Sequence, residues 1–101
     1  MTNTSKHYRE DRADRNAFIR DVIGYGNKIK EVIIDRGHKD GAERHELSDT
    51  GVITVYNLKS GKLITRWVAR PNQLRRFYQY GVPQTILKLA YSHYLKQYNE
   101  I

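Results

Sequence analysis

The sequence predicts an α+β domain in which a small antiparallel sheet of about four strands packs against one N-terminal and two C-terminal helices. Three observations support this class. The chain has 101 residues, which is the size of one domain. Runs rich in β-branched residues, separated by turn residues, fill its middle. Apolar residues recur at helical spacing towards both ends. We therefore expect a single domain over residues 9–101, preceded by a disordered N-terminus at residues 1–8.

The first helix is expected over residues 9–24. Its apolar residues lie at positions i, i+1, i+4 and i+5, so they share one helical face. These are Phe18, Ile19, Val22 and Ile23. The segment Gly24-Tyr25-Gly26-Asn27 follows, and glycine and asparagine tolerate the left-handed backbone that commonly ends a helix.

Four strands are predicted, at residues 29–36, 43–48, 52–57 and 62–69. The strongest signal is the hairpin formed by the last two, because residues 58–61 join them with a glycine late in the loop. Side chains alternate between the two faces of a strand. In the last strand Thr65 therefore shares a face with Trp67, whereas Arg66 lies on the opposite face.

Two helices are predicted after the sheet. Pro71 suits the first position of a helix, and residues 72–80 can continue it. Gly81-Val82-Pro83 then breaks the helix, and a last helix is expected over residues 84–99. The apolar and aromatic stripe of this last helix packs either on the sheet or on a second copy of the chain, which would give a homodimer.

Positive charge is concentrated in the C-terminal half. Residues 1–49 carry ten basic and ten acidic side chains, whereas residues 50–101 carry eight basic side chains and one acidic one, Glu100. A surface of one sign attracts phosphates and speeds encounter with them. We therefore expect a polyanionic partner, with nucleic acid favoured and RNA preferred. A solubilising surface without a partner is the alternative.

The predicted nucleic-acid-binding residues are basic side chains of this half together with one tyrosine. They are Lys59, Lys62, Arg66, Arg70, Arg75, Arg76 and Tyr78. Three of the arginines surround the junction between the last strand and a helix N-terminus, where free backbone N–H groups favour a phosphate. Tyr78 offers a ring on which a base can stack. Trp67 offers another, although core packing is the expected role of that indole.

Two histidines are candidate catalytic residues. His38 and His45 flank a predicted turn, and a pair of imidazoles can act as general base and general acid near neutral pH. They could also bind a metal, but two ligands without a convincing third do not define a site. We therefore expect no metal and no cofactor. The alternative, which is the commoner role of a loop histidine, is that each is an ordinary polar residue of the surface.

Arg66 and Thr65 complete the candidate catalytic set. Arg66 lies between Ile64 and Val68 on its strand face, and a guanidinium there is costly unless it is paired or faces a ligand. It would hold a scissile phosphate through two hydrogen bonds. The alternative is a salt bridge to an acidic residue of an earlier strand.

Several function classes are excluded by what the sequence lacks. Without cysteine there are no disulfides and no thiol chemistry. The motifs of nucleotide-binding loops, of serine hydrolases and of zinc proteases are missing. The polar N-terminus does not predict a signal peptide, and the longest apolar run, Val32-Ile33-Ile34, is too short to span a membrane. We expect a protein of the bacterial cytoplasm.

Residues 45–78 resemble small proteins carried by phages and mobile elements, above all in the run GVITVYNLKSGKLITRWVARPNQLRRFY. The order of an N-terminal helix and a curved antiparallel sheet also resembles the barnase/EndoU/colicin/RelE-like group of metal-independent endoribonucleases. The resemblance covers about residues 10–78. It implies that His45 is the histidine of an early strand and that Thr65, with Arg66, is a catalytic residue of a late strand.

Three functions are compatible with these patterns. The first is a non-catalytic binder of nucleic acid or of a nucleoprotein, such as an anti-CRISPR inhibitor of a host defence complex. The second is a toxin-like endoribonuclease in which His45 or His38 transfers protons while Arg66 and Arg70 stabilise the phosphorane. The third is a scaffold protein that dimerises through residues 84–99. Binding is preferred because it requires only the charge distribution, whereas catalysis requires several loosely placed residues to converge.

Overall fold

A computed structural model describes residues 15–37 and 39–100, and for residues 99 and 100 it describes the backbone alone. Its helices are α1 (residues 15–23, ending in a π-helical turn at Ile19–Ile23), α2 (Pro71–Gln79) and α3 (Gln84–Glu100). Its strands are β1 (Lys28–Ile34), β2 (Glu43–Ser48), β3 (Val52–Asn57) and β4 (Leu63–Val68). The predicted α+β class is confirmed. The predicted disorder at residues 1–8 and the predicted start of the first helix lie outside the described residues.

The sheet is an antiparallel meander in which each strand pairs with its neighbour in the sequence. The predicted β3–β4 hairpin is confirmed. Gly61 has a φ of +74° and donates its N–H to the Asn57 carbonyl over 2.8 Å. β1 ends two residues earlier than predicted, because Asp35 accepts a hydrogen bond from the Gly37 N–H at 2.9 Å and turns the chain.

Each face of the sheet contributes to a separate cluster of buried side chains. The larger cluster lies between the sheet and the two C-terminal helices, where Leu47 and Val55 meet Leu74 and Phe77. The smaller cluster lies on the other face and joins α1 to the sheet. Its members are Phe18, Ile19, Val52 and Val68, with Tyr94 packed against them. Helices therefore cover both faces, but α1 covers only one end of its face.

α3 is fastened to the turn between β2 and β3. The His93 Nδ1 atom lies 2.7 Å from the Thr50 carbonyl oxygen. Gly51, with a φ of +89°, lies so close to the helix that an added Cβ would come within 2.5 Å of the Ala90 Cβ atom. A close approach of this kind requires glycine, because any side chain would displace the helix.

The tyrosine stripe of α3 is shared between the domain and the solvent. Tyr91 and Tyr94 stack with ring centroids 6.3 Å apart, and Tyr94 is half-buried against the smaller cluster. Tyr98 is 74% exposed. Part of the stripe thus packs on the domain, as one of the two predicted alternatives required, whereas Tyr91 and Tyr98 are exposed. Dimerisation through residues 84–99 stays a prediction. Among the described residues, no helix is both long and apolar enough to cross a membrane.

Candidate nucleic-acid interface

A histidine–glutamate pair lies on the face of the sheet that α2 covers. Residues at alternate positions of a strand share a face, so Glu43, His45 and Leu47 point towards the same side. The His45 side chain is buried, with 6% of the residue exposed, and its Nε2 atom lies 3.0 Å from Glu43 Oε1. Because an ionised carboxylate can only accept, Nε2 is the donor of this hydrogen bond.

The indole of Trp67 fixes the imidazole from the side of α2. The two rings meet edge to face, with centroids 6.3 Å apart and an interplanar angle of 82°. Trp67 Nε1 donates to Gln73 Oε1 at 2.8 Å, and the same oxygen accepts the Arg70 backbone N–H at 2.9 Å. The start of α2 therefore holds the indole, which packs against the larger cluster, as predicted, and also forms a wall of the site.

Thr65 lies in the same row of the sheet as His45. His45 pairs with Val55 in the neighbouring strand, and Val55 pairs with Thr65 in the next. Residues directly opposite one another share a face, so the threonine lies two strands, or about 10 Å, from the histidine. A bulge in β4 leaves Ile64 without a partner beside it. The structure thus brings together two of the four candidate catalytic residues.

These side chains line a polar cavity of about 340 Å³. The polar groups around it come from four segments of the chain. They are Arg36, Glu43, His45, Thr65, Asn72, Gln73 and Arg76, and we call this site the polar cavity. Its volume is at the lower end of the range of small-molecule sites, which is about 300–1,000 Å³.

A second hollow, of about 640 Å³, adjoins the polar cavity and shares Glu43 with it. Its basic residues are Lys39, Lys59 and Lys62, and we call it the lysine hollow. Within the described stretches, none of these lysines, nor Arg36 or Arg76, lies within ion-pair distance of a carboxylate. Asp40 and Glu43 also line the two hollows, so their five cations exceed their two carboxylates. Such an excess of cations around a concave surface produces a positive field that attracts phosphates.

Arg66 lies on the opposite face of the sheet from His45 and Thr65. Its Nε donates to Thr54 Oγ1 at 3.1 Å, and its guanidinium carbon lies 4.6 Å from the centroid of the Tyr25 ring. The structure therefore does not bring Arg66 to the phosphate that His45 would act on. The salt bridge predicted as its alternative is not formed in the part of the chain that is described.

The remaining predicted binding residues divide between the two sides of α2. Arg76 lines the polar cavity. Arg75 and Tyr78 line a groove of about 470 Å³ between α2 and α3. Arg70 is exposed and precedes the first turn of α2. His38, the fourth candidate catalytic residue, lies outside the described residues.

The sequence did contain a signal for Arg36, which was not among the predicted site residues. Val32 and Ile34 pair with His45 and Glu43, and Arg36 continues the same alternation two residues later. Asn72, in contrast, reaches the polar cavity only because α2 crosses the sheet at this point. No local pattern reveals such a crossing.

Two further findings concern ligands and relatives. No group of three or more His, Asp or Glu side chains in residues 15–37 and 39–98 is arranged to hold a metal ion.

The resemblance to the endoribonuclease group stays a prediction. The chain matches no protein-family model, and comparison with curated proteins and with solved structures gives no match either.

Proposed function

We propose that this protein binds RNA and that the polar cavity holds a phosphate of the RNA backbone between Arg36 and Arg76. The observation that supports the proposal is the set of five cations around the polar cavity and the lysine hollow, none of which forms an ion pair within residues 15–37 and 39–98. Arginine is suited to phosphate because its planar guanidinium donates two parallel hydrogen bonds. The same contacts serve for free RNA and for RNA exposed in a nucleoprotein complex.

The arrangement of the two hollows suits a chain of phosphates. Arg36 and Arg76 flank the polar cavity, and the lysines of the β3–β4 loop flank the adjoining lysine hollow. Adjacent phosphates of one strand can therefore meet arginines and lysines in turn. Each phosphate contact releases counterions, so affinity falls as salt rises, with a slope of about −0.7 per contact for a single strand.

The test is the salt dependence of binding to a fluorescein-labelled single-stranded RNA, followed by fluorescence anisotropy. The variant Arg36→Gln/Arg76→Gln should bind at least about tenfold more weakly at low salt, because charged hydrogen bonds are lost. Its log–log salt slope should be shallower by about 1.4, which corresponds to two contacts. The control Arg20→Gln/Lys96→Gln removes the same charge outside both hollows. Equal loss in the two variants would contradict the proposal.

The Glu43–His45 pair favours cleavage of RNA as a second candidate function. His45 Nδ1 would accept the proton of a ribose 2′ hydroxyl, and the Glu43 carboxylate would stabilise the resulting imidazolium. The 2′ oxygen would attack phosphorus and form a 2′,3′-cyclic phosphate. The bond to the 5′ oxygen would break, and that oxygen would leave as a hydroxyl after taking a proton from water.

Cleavage is tested with labelled mixed RNA in EDTA at low salt, read on a denaturing gel. A catalytic pair predicts discrete products that are lost in His45→Ala and in Glu43→Gln, which keeps the shape of the side chain. Thermal unfolding would confirm that both variants fold. Intact RNA with the wild-type protein, in a pool that an active ribonuclease degrades, would reject cleavage and leave binding alone.

A further inference from the structure

The groove between α2 and α3 lies across α2 from the polar cavity. Consecutive residues of an α-helix point about 100° apart. Arg76 accordingly lines the polar cavity, whereas Arg75 lines the groove. One helix, about 10 Å in diameter, thus separates two sites that each hold an arginine.

The lining of this groove, which we call the helix groove, combines an apolar floor with two aromatic edges. Leu74 and Leu87 are buried at its floor. Tyr78 and Tyr91, one from each helix, are 55% and 45% exposed. A phenol ring that keeps half of its surface in water offers a flat face on which a base can stack.

The charge of the helix groove is of one sign, unlike that of the polar cavity and the lysine hollow, which Glu43 also lines. Arg75 on α2 and Lys88 on α3 line it, and no acidic side chain does so among the described residues. Among the residues that the structure describes, no carboxylate lies within ion-pair distance of Arg75 or Lys88. Aromatic faces interleaved with free cations are the combination by which proteins hold single-stranded nucleic acid.

We propose that the helix groove is a base-stacking subsite for single-stranded RNA, whose backbone crosses α2 from the polar cavity. This inference rests on the proposed function. In a duplex the bases are stacked on each other, so they cannot enter the groove, and the subsite makes the protein selective for single strands. An acidic segment of a protein would match the two cations, but the pair of half-exposed rings and the neighbouring phosphate site favour a base.

The test compares two single strands of different length with a duplex. The probes are a labelled dinucleotide and a labelled decanucleotide of 2′-O-methyluridine, which cannot be cleaved through the 2′ oxygen, and a labelled blunt-ended duplex of 2′-O-methylated RNA. The wild-type protein should bind the decanucleotide more tightly than the dinucleotide. Tyr78→Leu/Tyr91→Leu should weaken decanucleotide binding about tenfold or more, because stacking is lost, and should leave the binding of the dinucleotide and of the duplex unaffected.

Two controls keep the result specific. Tyr98→Leu removes an exposed tyrosine of α3 outside the helix groove and should change nothing. Arg75→Gln/Lys88→Gln tests the groove without altering its apolar floor, and should also weaken the decanucleotide more than the dinucleotide.

The outcomes separate this inference from the proposed function. Suppose that Arg36→Gln/Arg76→Gln weakens the binding of both single strands, while neither groove variant changes the binding of the decanucleotide. RNA binding then stands, and the stacking subsite is wrong. An acidic protein segment would then be the better occupant of the helix groove. If the wild-type protein binds neither single strand, both proposals are wrong.

Discussion

His45 Nε2 lies 3.0 Å from Glu43 Oε1, and the two residues are separated by one position of the same strand. The hydrogen bond joins a buried imidazole to a carboxylate that remains 28% exposed. A contact of this kind leaves Glu43 open to the polar cavity while it orients the ring behind it.

Glu43→Gln should lower the free energy of unfolding by about 1 kcal/mol, because a hydrogen bond to a charged group is replaced by a weaker neutral one. Urea denaturation measures the change. Asp40→Asn is the matched control, since that residue lines the lysine hollow without a carboxylate contact to His45, and it should stay within about 0.5 kcal/mol of the wild type. An equal loss in both variants would show that the pair does not contribute to stability.

Gly51→Ala should destabilise the fold by about 2–4 kcal/mol. The methyl group would meet the Ala90 Cβ atom at 2.5 Å, and the left-handed backbone adds its own cost. Gly61→Ala carries the backbone cost alone, because nothing lies within 4 Å of its added Cβ. Chemical denaturation should therefore give a clearly larger loss at position 51, and equal losses would contradict the close approach of α3.

Arg66→Lys and Arg76→Lys should behave in opposite ways. The first loses the stack on Tyr25 and the bond to Thr54, so the free energy of unfolding should fall by about 1 kcal/mol while RNA affinity stays the same. The second should bind RNA more weakly with unchanged stability, because lysine cannot form two parallel bonds to phosphate. Weaker RNA binding by Arg66→Lys would place a phosphate on the other face of the sheet.

Glu31→Gln should be less stable than the wild type at neutral pH, with a difference that narrows in acid. Lys28 donates to Glu31 over 2.7 Å, and this bond lowers the pKa of the carboxyl. A lowered folded-state pKa adds stability above the unfolded pKa, about 4.3, and the addition is lost as the pH falls through the folded value. Urea curves at pH 7 and pH 3 should show the gap narrow at the lower pH. A gap as wide at pH 3 as at pH 7 would have another cause.

The alternation of strands and the chemistry of turns made most of the fold predictable. The hairpin around Gly61 and the start of α2 at Pro71 both follow from local rules, and both are observed. The opposite faces of Thr65 and Arg66 follow from the same alternation. What local rules omit is how elements distant in the sequence meet. The approach of Arg36 and Arg76 depends on the angle at which α2 crosses the sheet, and the π-helical turn at Ile19–Ile23 has no signature in the apolar spacing.

Because of the close contact between Gly51 and Ala90, a position outside the helix groove determines the shape of the groove. α3 forms one wall of that groove, and the β2–β3 turn sets how near to the sheet this helix can lie. A larger residue at position 51 would push α3 outward and move Tyr91 away from Tyr78. The spacing of the two rings is therefore set by the absence of a side chain at a turn that no ligand of the groove would touch.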